Sequence, residues 1–358
     1  MTQFTLGPVE MDPETLEISG NPLPYFRDEG FADINRSLIR RLKTFLKTDP
    51  KTRMAMLSAS GTAAMEAAVT QVFAAQDRVL VINGGTFGQR FADICRLHAI
   101  PHEILHLPPD ESLTEETLSV YESQTFSGVL VNIHETSTGR LYPIETLSSF
   151  AKKKNATLVV DAVSSFMADK FEMDNWGIDV AIFSSHKSLA VAPGLAFVAI
   201  NEKTWNTQVA QLAPSSLYLD IHSHIDQLER GQTPFTPAVG VIMQLHDKLC
   251  RIEEQGLEHF LCHIEVQAQH FRNSISQTNM RIPTYPLSNA QTPIILPEKN
   301  AKQIYSRLRD SYGLLVNPCG GEWADTMLRV GHMGYLNCED NNELMHALIN
   351  LTDSGKYI

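Results

Sequence analysis

Leu-Val-Val-Asp-Ala-Val-Ser-Ser (158–165) and Ala-Ile-Phe-Ser-Ser-His-Lys-Ser (181–188) are two apolar runs that each break into polar residues. A continuous apolar run, as opposed to an alternating one, suits a strand covered on both faces, as in a parallel sheet flanked by helices. Ligands of such sheets gather at the carboxyl ends of the strands. Asp161 and Lys187 both follow the apolar part of their run, so both are expected on that rim.

The flanking sequence repeats the pattern. Short apolar runs at 54–57, 78–82, 128–133, 157–160, 180–183 and 196–200 read as strands. Stretches with helical character at 31–48, 61–75, 87–98 and 144–153 lie between or before them. Alternation of this kind predicts an α/β fold with a mostly parallel sheet and helices on both faces. Residues 1–30, rich in Pro, Gly and acidic side chains, read as an N-terminal arm. The character changes after Pro234: two long helices (238–254 and 257–276) precede shorter mixed elements and a last helix near 342–351. The expected organisation is an arm (1–30), a large domain (31–234) and a smaller α+β domain (235–358).

Bulk composition narrows the functional classes. The 358 residues can bury a large core, and 43% hydrophobic with 20% charged residues is ordinary for a globular protein. A formal charge of −12 and no basic run argue against nucleic-acid binding. The five cysteines are widely spread with no CxxC pair, which suggests neither zinc nor a disulfide framework and fits a reducing cytoplasm. Neither a signal-peptide pattern at the N-terminus nor an apolar run long enough to span a membrane is present in the sequence.

The residues at the expected strand ends carry a consistent chemistry. Lysine can supply an amine to an aldehyde, and an aspartate can hold a pyridine nitrogen protonated, so Lys187 with Asp161 fits a pyridoxal phosphate (PLP) enzyme. Ser60, Gly61 and Thr62 stand at a strand-to-helix junction, where free N–H groups and the helix dipole attract a phosphate. Taken alone, Ser60 is an ordinary N-cap. Phe87, among the small residues of Asn-Gly-Gly-Thr-Phe-Gly-Gln-Arg (83–90), offers a flat stacking partner. His-Glu-Thr-Ser-Thr-Gly (134–139) offers hydroxyls for a ring oxygen. Arg329, inside an apolar run, needs an anionic or hydrogen-bonding partner, and its fork matches a carboxylate or phosphonate.

With these motifs in order, the chain resembles the class V aminotransferases of PLP fold type I over essentially its whole length. It is most like 2-aminoethylphosphonate–pyruvate transaminases, with alanine– and serine–glyoxylate aminotransferases as near relatives. The matching stretches are 7–9, 60–62, 83–90, 134–139, 160–165, 184–187, 193–197, 235–237 and 329–331. The resemblance implies a large domain with a mostly parallel sheet of the seven-stranded type. It makes Lys187 the Schiff-base lysine, pairs Asp161 with the ring nitrogen and stacks Phe87 on the ring. Ser60, Gly61, Thr62 and His186 would hold the phosphate, and Thr136 or Ser137 would contact the ring oxygen. Ser164 and Ser185 join the cofactor set, and Gly7 joins Arg329 at the substrate. Thr236 would reach the phosphate of a neighbouring subunit, implying a homodimer. Arg27 or Arg90 could add positive charge for a phosphonate. The implied activity is amino transfer from a small donor, first 2-aminoethylphosphonate, to pyruvate or a similar keto acid. Alanine/serine–glyoxylate transfer is the alternative. A lyase of the same fold would need a loop cysteine, for which Cys319 is the candidate.

Overall fold

The computed structural model describes residues 1–108 and 111–353. Seven strands form the large sheet: β1 (Arg53–Leu57), β2 (Val79–Asn83), β3 (His102–His106), β4 (Gly128–Asn132), β5 (Thr157–Asp161), β6 (Val180–Ser184) and β7 (Ala196–Ile200). Their spatial order is β1-β7-β6-β5-β4-β2-β3. β7 runs antiparallel to both β1 and β6, and every other pairing is parallel. An apolar run carries no sign of its direction, so only "mostly parallel" was legible beforehand.

The apolar runs are continuous because both faces are covered. Met54, Ile82, Val131, Val160 and Phe183 pack into one core, while Ala55, Val81, Leu130, Val159 and Ile182 pack into another on the opposite face. The first core is closed by α1 (Glu29–Leu46), and the second by α2 (Gly61–Val72) and α3 (Thr86–Leu97). α4 (Ile144–Lys154) and α5 (Val239–Gln255) add their apolar faces to the first core. α2 stops at Val72, earlier than its alanine content suggests. Phe73 turns extended (φ −117°, ψ 135°) and its ring fills the space that Gly128 leaves at the start of β4. β3 has a mixed His-Glu-Ile-Leu-His sequence and pairs only with β2, which is why no apolar run announces this edge strand.

A second, smaller core gathers Phe271 and Ile275 at the end of α6 (Leu257–Ile275) with a three-stranded antiparallel sheet. That sheet is β8 (Gln291–Ile295), β9 (Asn317–Pro318) and β10 (Met327–Gly331), in the order β8-β10-β9. The N-terminal residues belong to this core. Thr2–Gln3 pairs in parallel with Leu314–Leu315, and Phe4 is fully buried there. No helix among the described residues is long and apolar enough to cross a membrane.

Candidate active site

β2, β4, β5 and β6 run in one direction, so Asn83, Asn132, Asp161 and Ser184 end on one rim of the sheet. Asp161 lies opposite Asn132 on one side and Ile182 on the other. It is buried, and Oδ1 accepts from Val163 N at 2.8 Å. Burial pushes the Asp161 carboxyl up to about 6, against that amide and the positive charges of Arg90 and Lys187.

Lys187 sits just beyond β6, on a loop that folds back on itself. Ser185 N donates to Leu195 O, Ser185 Oγ donates to Ala192 O at 2.9 Å, and Ala190 N donates to Lys187 O. Lys187 Nζ donates to the carbonyl of Leu6, and the backbone of Gly7 lies against the lysine stem. A Cβ at Gly7 would stand 2.7 Å from Lys187 Cδ, and Gly7 has φ +114°. Burial lowers the Lys187 ammonium to about 8; Asp161 opposes this, and Arg329 and Arg90 reinforce it. A lysine in that range has a sizeable neutral fraction, as a nucleophilic amine requires. Burial also lowers His186, to about 4, and its Nδ1 is buried with no protein partner.

Two helix N-termini face this rim, and they differ. At α3 the first N–H groups are satisfied. Thr86 N donates to Ser137 Oγ (3.1 Å), Phe87 N to Glu135 Oε1 (3.3 Å) and Gly88 N to Glu135 Oε2 (3.0 Å). At α2 the N-cap is Ser60, whose side chain makes no cap hydrogen bond. Thr62 is tied to α3, accepting from Arg90 Nη1 at 3.0 Å, and the same guanidinium lies 4.7 Å from the centroid of Phe87. Ala63 N and Ala64 N donate to Ser60 O, so the amides that α2 turns toward an anion are those of Gly61 and Thr62, while α3 presents an aromatic ring beside them.

The loop after β4 brings in the hydroxyls. Thr136 Oγ1 and Ser164 Oγ are 2.8 Å apart, both buried. The carbonyl of Thr136 accepts from Arg329 Nη1 (2.8 Å) and Gln291 Nε2 (2.9 Å), tying the large domain to β8 and β10. Arg329 Nη2 donates to Pro318 O at 2.8 Å, and its Nε has no protein partner. A cleft of about 620 Å³ lies between Phe87 and Gly85 on one side and Trp323, Glu322 and Arg329 on the other.

Most of the residues singled out from the sequence thus converge on one rim: Gly7, Ser60, Gly61, Thr62, Phe87, Thr136, Asp161, Ser164, His186, Lys187 and Arg329. Two of the others, Arg27 and Thr236, lie on the surface, and one, Ser185, has its side chain engaged elsewhere. The Ser185 hydroxyl is used inside its own loop. Arg27 is exposed, and its guanidinium donates to Thr233 O (2.8 Å) and Gln232 Oε1 (3.3 Å). Thr236 is exposed on the adjoining segment. Cys319 lies 4.0 Å from Ser137 O, and burial raises its thiol, the reverse of what a reactive thiolate needs. Sequence reasoning missed Glu135, which is fully buried between the hydroxyls of its own loop; a lone carboxylate in such a run was the available signal.

The residues present fit PLP: an open helix N-terminus for its phosphate, an aromatic face, a buried carboxyl for its ring nitrogen, and an amine of lowered basicity for its aldehyde. The comparisons agree. The L-aspartate–glyoxylate aminotransferase of Paracoccus denitrificans is 27% identical over 343 residues, 93% of this chain and 86% of that protein. The 2-aminoethylphosphonate–pyruvate transaminase of Phocaeicola vulgatus is 27% identical over 319 residues, 84% of each. An aspartate aminotransferase of subgroup IV from Thermus thermophilus has the same fold, with a TM-score of 0.91 at 25% identity, covering 99% of both chains. A family model described as aminotransferase class-V matches residues 33–295. The chain therefore belongs to the class-V aminotransferases, and its cofactor is pyridoxal phosphate.

Proposed function

We propose that this chain transfers an amino group from a small donor carrying one anionic group to pyruvate or a similar short keto acid. The observation that carries this reading is the Arg329 fork: it lines the cleft beside Phe87, is held by the carbonyls of Thr136 and Pro318, and keeps its Nε without a protein partner. 2-Aminoethylphosphonate is the donor of first choice, supported by the resemblance of the chain to a transaminase of that substrate.

PLP, when bound, supplies an electron-accepting ring conjugated to the reacting carbon. In this reading the α2 N-terminus with Ser60, Gly61 and Thr62 holds the phosphate, together with His186. Phe87 stacks on the ring, Asp161 keeps the ring nitrogen protonated, and Thr136 Oγ1, braced by Ser164, faces the ring oxygen. Lys187 Nζ takes the proton from the donor carbon and returns it on the other side of the exchange. Arg329 holds the keto-acid carboxylate in its fork. Thr236 serves a second copy of the chain, so the working unit is a homodimer; its exposure supports this. The free cysteines support a reducing, cytoplasmic setting.

A second reading, alanine or serine as donor with glyoxylate as acceptor, has an observation of its own. Glu322 lines the cleft, and its charge opposes a phosphonate dianion more than a carboxylate. A donor panel run with pyruvate and with glyoxylate decides between them. Phosphonate-dependent alanine formation supports the first; turnover confined to amino acids and glyoxylate supports the second. Sulfide release from cysteine without amino transfer would overturn both.

A further inference from the structure

Glu135 is fully buried, and it accepts from donors on three separate segments. Phe87 N and Ser137 N reach Oε1 (3.3 and 3.1 Å), with Ser137 Oγ on the same oxygen. Gly88 N and Asn132 Nδ2 reach Oε2 (3.0 and 2.9 Å). The end of β4, the start of α3 and the hydroxyl loop are therefore fixed on one side chain. Gly85, the N-cap of α3, makes this possible. A Cβ there would stand 2.7 Å from Glu135 Cδ, so only glycine leaves room for a carboxylate from another loop to do the capping.

We propose that Glu135 is a positioning residue for the cofactor: by capping the start of α3 it sets Phe87 at its stacking height. The proposal rests on the assignment of Phe87 to the ring. Its cause is chemical as well as steric. An acceptor-only carboxylate satisfies N–H donors at both oxygens, and an amide in its place turns one oxygen into a donor facing other donors. α3 then loses its cap and Phe87 loses its fixed position.

The test is cofactor affinity, read by titrating cofactor-stripped full-length protein with pyridoxal phosphate and following absorption. Phe87→Ala is expected to weaken binding about tenfold, as lost stacking of this size implies. Glu135→Gln is expected to weaken it about tenfold as well, from the uncapped amides. Because Glu135 acts through Phe87, the double variant should bind within about twofold of Phe87→Ala alone. If Glu135→Gln does not fold, Asn132→Ala, which removes the β4 donor, is read the same way: a several-fold loss that vanishes over Phe87→Ala. Effects that multiply in the double variant overturn the proposal, since a purely structural carboxylate would act independently of Phe87. So does weakening by Phe87→Ala with none by Glu135→Gln. An unchanged affinity in Phe87→Ala overturns the assignment of the ring partner, and this proposal with it.

Discussion

The carbonyl of Leu6 accepts a hydrogen bond from Lys187 Nζ, and Gly7 follows it with its backbone against the lysine stem. The N-terminal arm thereby walls the candidate active site.

Gly7→Ala tests that wall. The added Cβ meets the Lys187 side chain, and φ +114° is strained for any L residue. A strained backbone site costs about 1–3 kcal/mol. The variant is expected to fold but to take up pyridoxal phosphate at least tenfold more slowly, measured by stopped-flow absorption. Uptake at the normal rate would show that the arm can move aside.

Uptake should also depend on pH through Lys187. Only the neutral amine attacks an aldehyde, and burial places the ammonium near 8 instead of its ordinary 10.5. The uptake rate of the cofactor-free protein should rise with pH to a midpoint near 8. Removing the Arg329 charge with Arg329→Leu should move that midpoint upward, because Arg329 disfavours the ammonium. Linkage gives the stability sign. Between about pH 8 and 10.5 the unfolded chain keeps a proton that the folded chain has released, so the cofactor-free fold gains stability as pH rises through that window. Urea titrations of wild type and Lys187→Met should diverge there.

Arg329→Lys should raise KM for the keto acid with a smaller effect on kcat. The fork is aimed by the carbonyls of Thr136 and Pro318, an arrangement a single ammonium cannot reproduce. Hydrogen bonds to charged groups are worth about 1.5–3 kcal/mol, or roughly 10- to 100-fold in KM. Steady-state kinetics with pyruvate and glyoxylate check this, and an unchanged KM for both would free Arg329 from the acceptor.

Asp161→Asn keeps the volume and removes the charge. Cofactor uptake should persist, while turnover falls by roughly 10- to 100-fold, the worth of a charged hydrogen bond to the ring nitrogen. Single-turnover kinetics separate the two steps.

Phe4→Ala should destabilise the smaller core by about 3–5 kcal/mol, the usual cost of emptying a buried phenylalanine site. Differential scanning calorimetry reads this directly. Because Leu6 and Gly7 hang from the same strand, cofactor uptake should slow as well.

Asp161 and Lys187 were legible because each is a polar residue set at the end of an unbroken apolar run, and the two-sided burial of β5 and β6 keeps those runs unbroken. The strand-to-helix junction was legible for the same reason, with Ser60 leading an alanine-rich helix. Glu135 was not, because its importance comes from donors on other segments, and spacing along the chain carries none of that information. Arg27 and Arg90 could not be told apart from sequence. One is fixed by the side-chain oxygen of Gln232 and the backbone carbonyl of Thr233, the other by Thr62 and Phe87, and both placements are purely tertiary.

The arm also ties the two ends of the chain together at Lys187. Leu6 N donates to Asn317 Oδ1 across 311 residues of chain, and Gly331 N donates to Phe4 O. During synthesis the sheet and its lysine can assemble while the arm still lacks its partners, since domains fold as units from the N-terminal side. Leu6 is therefore expected to settle against Lys187 only once residues 314–331 have been made and have formed their own sheet, and a product truncated before residue 314 is expected to have a lysine with an unfinished wall.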